Sequence, residues 1–287
     1  MSAVLMRLSQ NWTAWIQTAA LLLLSGWLYI GILKHLVQNW VADPNYSHAF
    51  LVAPFAVFLA WERRGSWLSK PIEPRWSGIV IVLGAMMLLL LGNLGAELFL
   101  SRISFIFLLA GLTVYFAGWQ VAKSLAAPWL VLFLMVPLPV LIFNEIAFPL
   151  QTMASHLAGS MLTLAHVPAV REGNMIVLPS ITLNIVEACS GIRSLMSLVT
   201  LAIFYGLLVE QRVWMRWALV LFAIPAAVAA NALRIVGAAL LGEYAGAQYA
   251  SSFFHSFSGW LIFAITVGLM LGSHAVASRI AGRGVAT

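Results

Sequence analysis

Charge is what this chain has least of: 8% of its 287 residues are charged, against 62% that are hydrophobic. A soluble domain carries about a quarter charged residues, and the mean hydropathy of +0.98 lies far outside that class. Such a chain cannot hide its apolar surface in a core surrounded by water, so lipid must be its solvent. Cysteine is nearly missing. Cys189 is the only one, which excludes an internal disulfide and leaves the redox compartment unrecorded. No spacing among His, Cys, Asp and Glu resembles a metal site. There is neither a Walker-type phosphate loop nor a nucleotide-binding glycine motif, so no cofactor is expected. Internal repeats, low-complexity tracts and shifts of composition are also lacking, and residues 1–287 read as a single membrane domain.

The net charge of +6 suggests nucleic acid only until the charges are placed. Arg63, Arg64, Lys70 and Arg75 share one loop, Lys123 sits in a second, Arg212 and Arg216 in a third, and Arg279 and Arg283 close the chain. Short basic loops between apolar runs follow the positive-inside rule, so nucleic acid is not an expected partner. Trp40, Trp61, Trp76, Trp119, Trp214, Trp217 and Trp260 lie near the ends of those runs, as interfacial belts do. Eight spans are expected, at about 18–36, 49–61, 78–91, 98–118, 125–143, 191–209, 217–241 and 252–277. With the N-terminus inside, all four basic clusters fall on the cytoplasmic face. The first span is too long and too tryptophan-flanked for a cleaved signal peptide. The second is short. Pro128, Pro137 and Pro139 predict a kinked or broken end to the fifth.

From Asn144 to Val167 the sequence mixes Glu145, Gln151, His156 and His166 with apolar residues, the pattern of an amphipathic helix on or partly in the membrane surface, on the outer side. Met175, Val177, Ile181, Leu183 and Ile185 then alternate around Pro179-Ser180, which predicts a small hairpin outside the hydrocarbon. The expected fold is an all-α polytopic membrane protein of about eight transmembrane helices. An external amphipathic helix and a small β-hairpin precede the helix that follows the cysteine.

The stretch from Val186 to Leu195 interrupts the hydrocarbon with Glu187, Cys189, Ser190 and Arg193. Cys189 falls where extended chain gives way to a membrane helix. The unpaired N–H groups and positive dipole end of a first turn favour an anion, so a thiol there ionises more easily. If the helix has begun, Arg193 shares a face with Cys189 four residues on. A low-pKa thiolate beside a fixed cation is the setting of a nucleophilic cysteine; a buried structural cysteine is the alternative.

The same topology places three further residues. Arg234 lies 17 residues after Trp217, roughly 26 Å up a helix rising ~1.5 Å per residue, near the outer end of the seventh span. Asn231 is one turn earlier. An arginine inside an apolar span costs about 3 kcal/mol and usually faces the bundle interior, with snorkelling as the alternative. His255 stands in the first turn of the last span, on a polar stripe with Ser252, Ser256 and Gly259. Alone it reads better as an interfacial histidine. Together, cysteine, cation and imidazole on one membrane face are the parts of a thiol acyl-transfer site. His48 is on that face too, as a structural or substrate-positioning residue. His35, His156, His166 and His274 give no pattern.

In these residues the sequence resembles the exosortase/archaeosortase family of multi-spanning membrane cysteine transpeptidases. The resemblance runs from about Tyr46 to 277 and is strongest over 171–255. It is carried by Tyr46-Ser47-His48-Ala49-Phe50-Leu51-Val52, by Arg171-Glu172-Gly173-Asn174 with Leu178-Pro179, and by Glu187-Ala188-Cys189-Ser190-Gly191-Ile192-Arg193. Asn231-Ala232-Leu233-Arg234-Ile235 and His255 complete it. The resemblance implies that Cys189 is the nucleophile and that Arg234 and His255 are the other catalytic residues. Arg193, His48, Asn231, Ser190 and Glu187 then bind substrate or support the site. It also implies a substrate: an exported protein with a C-terminal sorting tag of the PEP-CTERM type, cleaved at the periplasmic face of the inner membrane. Further partners would be membrane lipid and an amine acceptor or lipid-linked component. Ala49, Asn184 and Ser194 depart from the family pattern; they leave the catalytic set intact and bear on which tag is read. The rival readings are a transferase or transporter for lipid-linked glycan, with Arg193 and Arg234 holding phosphate, and a scaffold subunit of an export machine.

Overall fold

Long apolar runs become helices here because in lipid each backbone group must be bonded within its own segment. The computed structural model describes residues 12–173, 175–184, 191–246 and 253–283, with side chains from 259 to 281 in the last stretch. The helices, in chain order, are α1 (Trp12–Ala42), α2 (Ala49–Glu62), α3 (Arg64–Leu68), α4 (Ser77–Leu94), α5 (Leu98–Ala117), α6 (Trp119–Ser124), α7 (Ala126–Leu132) and α8 (Val140–Leu164). A small sheet of β1 (Val170–Glu172), β2 (Met175–Val177) and β3 (Thr182–Asn184) comes next. It is followed by α9 (Ile192–Val209), α10 (Val213–Ala245) and α11 (Phe253–Arg283). Among the described residues, six helices are long and apolar enough to cross a bilayer, or seven if the pair broken around Pro137 and Pro139 counts as one span. The second of the eight expected spans, α2, has 14 residues. At ~1.5 Å per residue it reaches about 21 Å, short of a hydrocarbon core of roughly 30 Å.

The chain divides into two compact units, one of residues up to 43 with Ala60–Val136, the other of Pro44–Leu59 with Pro137 onward. In the first, α4 and α5 pack closely through glycine. A Cβ on Gly78 would stand 2.7 Å from the Gly111 carbonyl oxygen, the close approach that small residues permit between membrane helices. Glu97 caps α5 by accepting from the Phe99 N–H at 3.1 Å. The basic loop folds back on the end of α5, where the Glu73 N–H donates to the Ala117 carbonyl at 3.2 Å. Gly118, at φ +89°, allows that approach. Tyr29 on α1 bonds the Ser104 hydroxyl of α5 at 2.9 Å. Beside it is an arginine that the sequence reading passed over. Arg102 is only 4% exposed, and donates to the Asn39 amide oxygen at 2.9 Å once that amide is oriented to accept.

The broken end expected of the fifth span falls at Pro137 and Pro139, which lack the N–H a helix needs. In the second unit a new helix, α8, begins at Val140, so the boundary expected at Phe143 moves back to Pro139. The face of α8 formed by Ala154, Ala158 and Leu162 is buried against Ala232, Ile235 and Ala239 of α10.

The predicted hairpin is present, with β2 and β3 antiparallel and Ile176 opposite Leu183. Around its Pro179-Ser180 turn the Leu178 N–H donates to the Ile181 carbonyl at 2.8 Å. A third strand, β1, pairs on the other side of β2. Ile176 and Leu178 cover the α8–α10 core, and the Ser180 N–H and hydroxyl both donate to the Glu243 carboxylate at 3.1 and 3.2 Å. Burial of one face and pinning of the turn give three strands of three residues a stability they would lack alone.

Candidate active site

Two glycines bring three helices to one polar spot. Gly191, just ahead of α9, takes a left-handed φ of +65°. Lacking a Cβ, it lies against the Asn231 side chain; a Cβ there would stand 2.6 Å from Asn231 Nδ2. Gly259 does the same on α11, where a Cβ would stand 3.5 Å from Arg234 Cζ. The Arg234 guanidinium therefore rests on bare backbone of the last helix. Ser194, Asn231, Arg234, Gly259, Ile262 and Thr266 line the narrow cleft between α9, α10 and α11. Asn231 is 6% exposed, and its opposite side faces a second crevice with Leu150, Gly191 and Ile192.

Two positive features meet in the cleft: Arg234 carries a permanent charge, and Ser194 belongs to the first turn of α9, where the helix dipole is positive. Among the described residues that line the cleft, none is acidic. Such an arrangement favours a thiolate, or the oxyanion of a tetrahedral intermediate.

α9 begins at Ile192, with the left-handed turn at Gly191 just ahead of it. The shared helical face expected for Cys189 and Arg193 involves a residue outside the described ones. Arg193 falls in the first turn of α9, exposed and outside the cleft. Cys189, with Glu187 and Ser190, lies outside the described residues. His255 belongs to the first turn of α11, one turn before Gly259, and its side chain is likewise outside them.

A family model of transmembrane exosortases (Exosortase_EpsH) matches residues 40–272. The chain belongs to the transmembrane exosortase family. No curated protein and no solved structure matches it. The family and the apolar helices together make it a multi-pass membrane protein.

The matched range of this exosortase takes in His48 as well as the cleft. The His48 ring stands 6.2 Å from that of Tyr46, whose hydroxyl accepts from the Leu138 N–H at 3.1 Å. The turn Pro44–Tyr46 packs on α9, and Phe55 of α2 stacks on Phe204 at 3.7 Å between centroids. With 3.6 residues per turn, only a parallel course of α2 and α9 satisfies both contacts, because an antiparallel one would carry the turn beyond Val209. His48 is thus directed toward the N-terminal part of α9, though it does not line the cleft. Sequence reasoning had noted Gly259 as room for backbone approach, but missed Gly191. Its signal was available: a glycine immediately ahead of a predicted membrane helix, in a polar run, marks a φ or a close contact that no other residue allows.

Proposed function

We propose that this chain is a membrane cysteine peptidase or transpeptidase. It would remove C-terminal sorting tags from exported proteins at the outer face of the cytoplasmic membrane, through a thioester. The observation that supports this best is the packing of Asn231 against Gly191, two residues after Cys189, with Arg234 in the cleft at the start of α9. Consecutive Cα atoms are 3.8 Å apart, so the backbone holds the Cys189 Cα within about 7 Å of that of Gly191, which lies against Asn231.

In this mechanism the Cys189 thiolate attacks the scissile carbonyl carbon and forms a C–S bond. Arg234 stabilises the oxyanion with its fork of donors. The intermediate collapses, the C–N bond breaks, and His255 protonates the departing amine. The tag leaves and the exported protein remains as a thioester. An incoming amine or water, deprotonated by His255, then attacks that thioester and releases the thiolate. β3 runs directly into the cysteine segment, so an extended peptide adding to the edge of the sheet would arrive beside the nucleophile.

Co-expression with a tagged protein, followed by mass spectrometry of its new C-terminus, tests the reaction and identifies the acceptor. A hydrolysed product ends in a carboxylate, and a transferred one carries the acceptor's mass. In the same assay Arg234→Lys keeps the charge and loses the planar donors. If the arginine holds an oxyanion, the rate falls roughly a hundredfold, as for other lost oxyanion donors. A Lys variant within a fewfold of wild type would show that charge alone is needed.

The orientation is tested separately. Reporter fusions after Arg75, Lys123 and Arg216 are expected to report cytoplasm, and fusions near Arg171 and Gly246 the exterior. An exterior signal at Arg75 would reverse the assignment and part the cleft from the membrane face where tags are exposed.

A further inference from the structure

At the far end of the second unit from Arg234 there is a buried polar chain that the peptidase reading does not use. His274 of α11 is 7% exposed. Its Nε2 stands 3.0 Å from Glu210 Oε2, in the loop between α9 and α10. Its Nδ1 stands 3.0 Å from the Tyr205 hydroxyl on α9. An ionised carboxylate only accepts, so Nε2 is the donor toward Glu210, and Nδ1 and the Tyr205 hydroxyl share the second bond. Glu210 is fixed in its turn. Its other oxygen accepts from the Arg212 N–H at 2.8 Å, and its carbonyl accepts from Arg216 Nε at 2.7 Å. The Arg212 N–H and His274 hold its carboxyl below the usual range, so it is ionised at neutral pH.

The last helix needs such a fixed point. Much of it has no protein neighbour: Trp260, Ile265 and Leu269 are 67%, 54% and 63% exposed. Against hydrocarbon, apolar packing barely prefers one register over another, and small residues and polar pairs set it instead. Among the described residues, α11 is held by Gly259 under Arg234, by Met270 in the core with Leu198, Ala202 and Ala223, and by His274. Gly259 and His274 are fifteen residues apart, roughly 22 Å along the axis. A slide of about one residue rise, ~1.5 Å, is half the 3.0 Å length of either imidazole bond and would distort the pair.

We propose that Tyr205, His274 and Glu210 form a latch that fixes the axial position of the last helix against α9 and α10. The latch thereby sets where His255 stands relative to Arg234. The first statement is independent of the peptidase reading, and the second rests on it. His274 is a positioning residue, remote from any substrate.

The test uses the full chain in lipid nanodiscs, with Cys189→Ser and nitroxide labels at Trp217→Cys and Leu261→Cys, two exposed positions on α10 and α11. His274→Leu removes both bonds and is expected to move the interlabel distance by 2 Å or more, or to double its spread. His274→Gln, whose amide reaches the place of Nε2 and donates to Glu210, restores the wild-type distribution. With Cys189 intact and unlabelled, His274→Leu lowers kcat for tag removal at least tenfold, leaves KM within about twofold, and is largely rescued by Gln. An unchanged distance distribution in His274→Leu overturns the latch. A changed distribution with unchanged kcat overturns its link to the site. If wild type removes no tag, the peptidase reading falls while the distances still decide the latch. Should His274→Leu fail to accumulate, Tyr205→Phe removes a single oxygen and is read by the same two measurements.

Discussion

Replacement of Cys189 by alanine is expected to leave a tagged substrate at full length while the membrane protein accumulates normally. The chain has no second thiol, so nothing can substitute for it as a sulfur nucleophile. Loss of a nucleophile from such a catalytic set costs about 10⁴- to 10⁶-fold, beyond what processing assays detect. Folding should be spared, because the segment holding Cys189 joins two pieces, β3 and Gly191, that have their own anchors on α10. His255→Ala should be nearly as inactive, for want of the proton donor to the leaving amine. The same experiment separates the rival chemistry. A lipid-linked glycan transferase that holds phosphate with arginines would be indifferent to the cysteine. Normal processing by Cys189→Ala would therefore end the peptidase reading and favour that one.

Gly191→Ala should lower the rate at least tenfold with the protein still folded, for two reasons that can be told apart. A left-handed φ costs a residue with a Cβ about 1–2 kcal/mol. The new methyl also falls on the Asn231 amide, 2.6 Å away before relaxation, and must displace it from the start of α9. Asn231→Ala removes the obstacle and leaves the backbone cost. The double variant should then lose less activity than the two single losses combined, and a double-mutant cycle reads that coupling. Strict additivity would mean that Gly191 acts through its backbone alone, and that Asn231 has no part in placing the cysteine segment.

Most of the helices were legible because lipid makes the rule simple: an apolar run of span length between charged or tryptophan-rich ends has one solution. Ser77–Leu94, Leu98–Ala117 and Ile192–Val209 start and stop within three residues of expectation. Where the chain meets water the rule lapses. Hydropathy alone could not say that Ala154, Ala158 and Leu162 have a partner in α10, so α8 was read as a helix on a surface. The hairpin showed through the alternation of its residues, but β1 did not, since three residues are too few for a period. Polar residues stand out in the sequence when a reactive side chain type is close by, and those that only hold helices together do not. Arg102 is, like Arg234, an arginine within an apolar run. His274 was set aside because its partners, Tyr205 and Glu210, are 69 and 64 positions away in sequence, a pairing created only by α10 returning the chain so that α11 runs parallel to α9.

One helix holds both ends of the cysteine segment. Through Glu243 it grips the hairpin upstream, and through Asn231 it touches Gly191 downstream. The stretch between hairpin and Gly191 is thus slung from two points on the same beam, twelve residues apart, with Arg234 on that beam between them. Whatever tilts the beam carries hairpin, Gly191 and guanidinium together, so the membrane can thin, thicken or flex around this protein without parting one from the other.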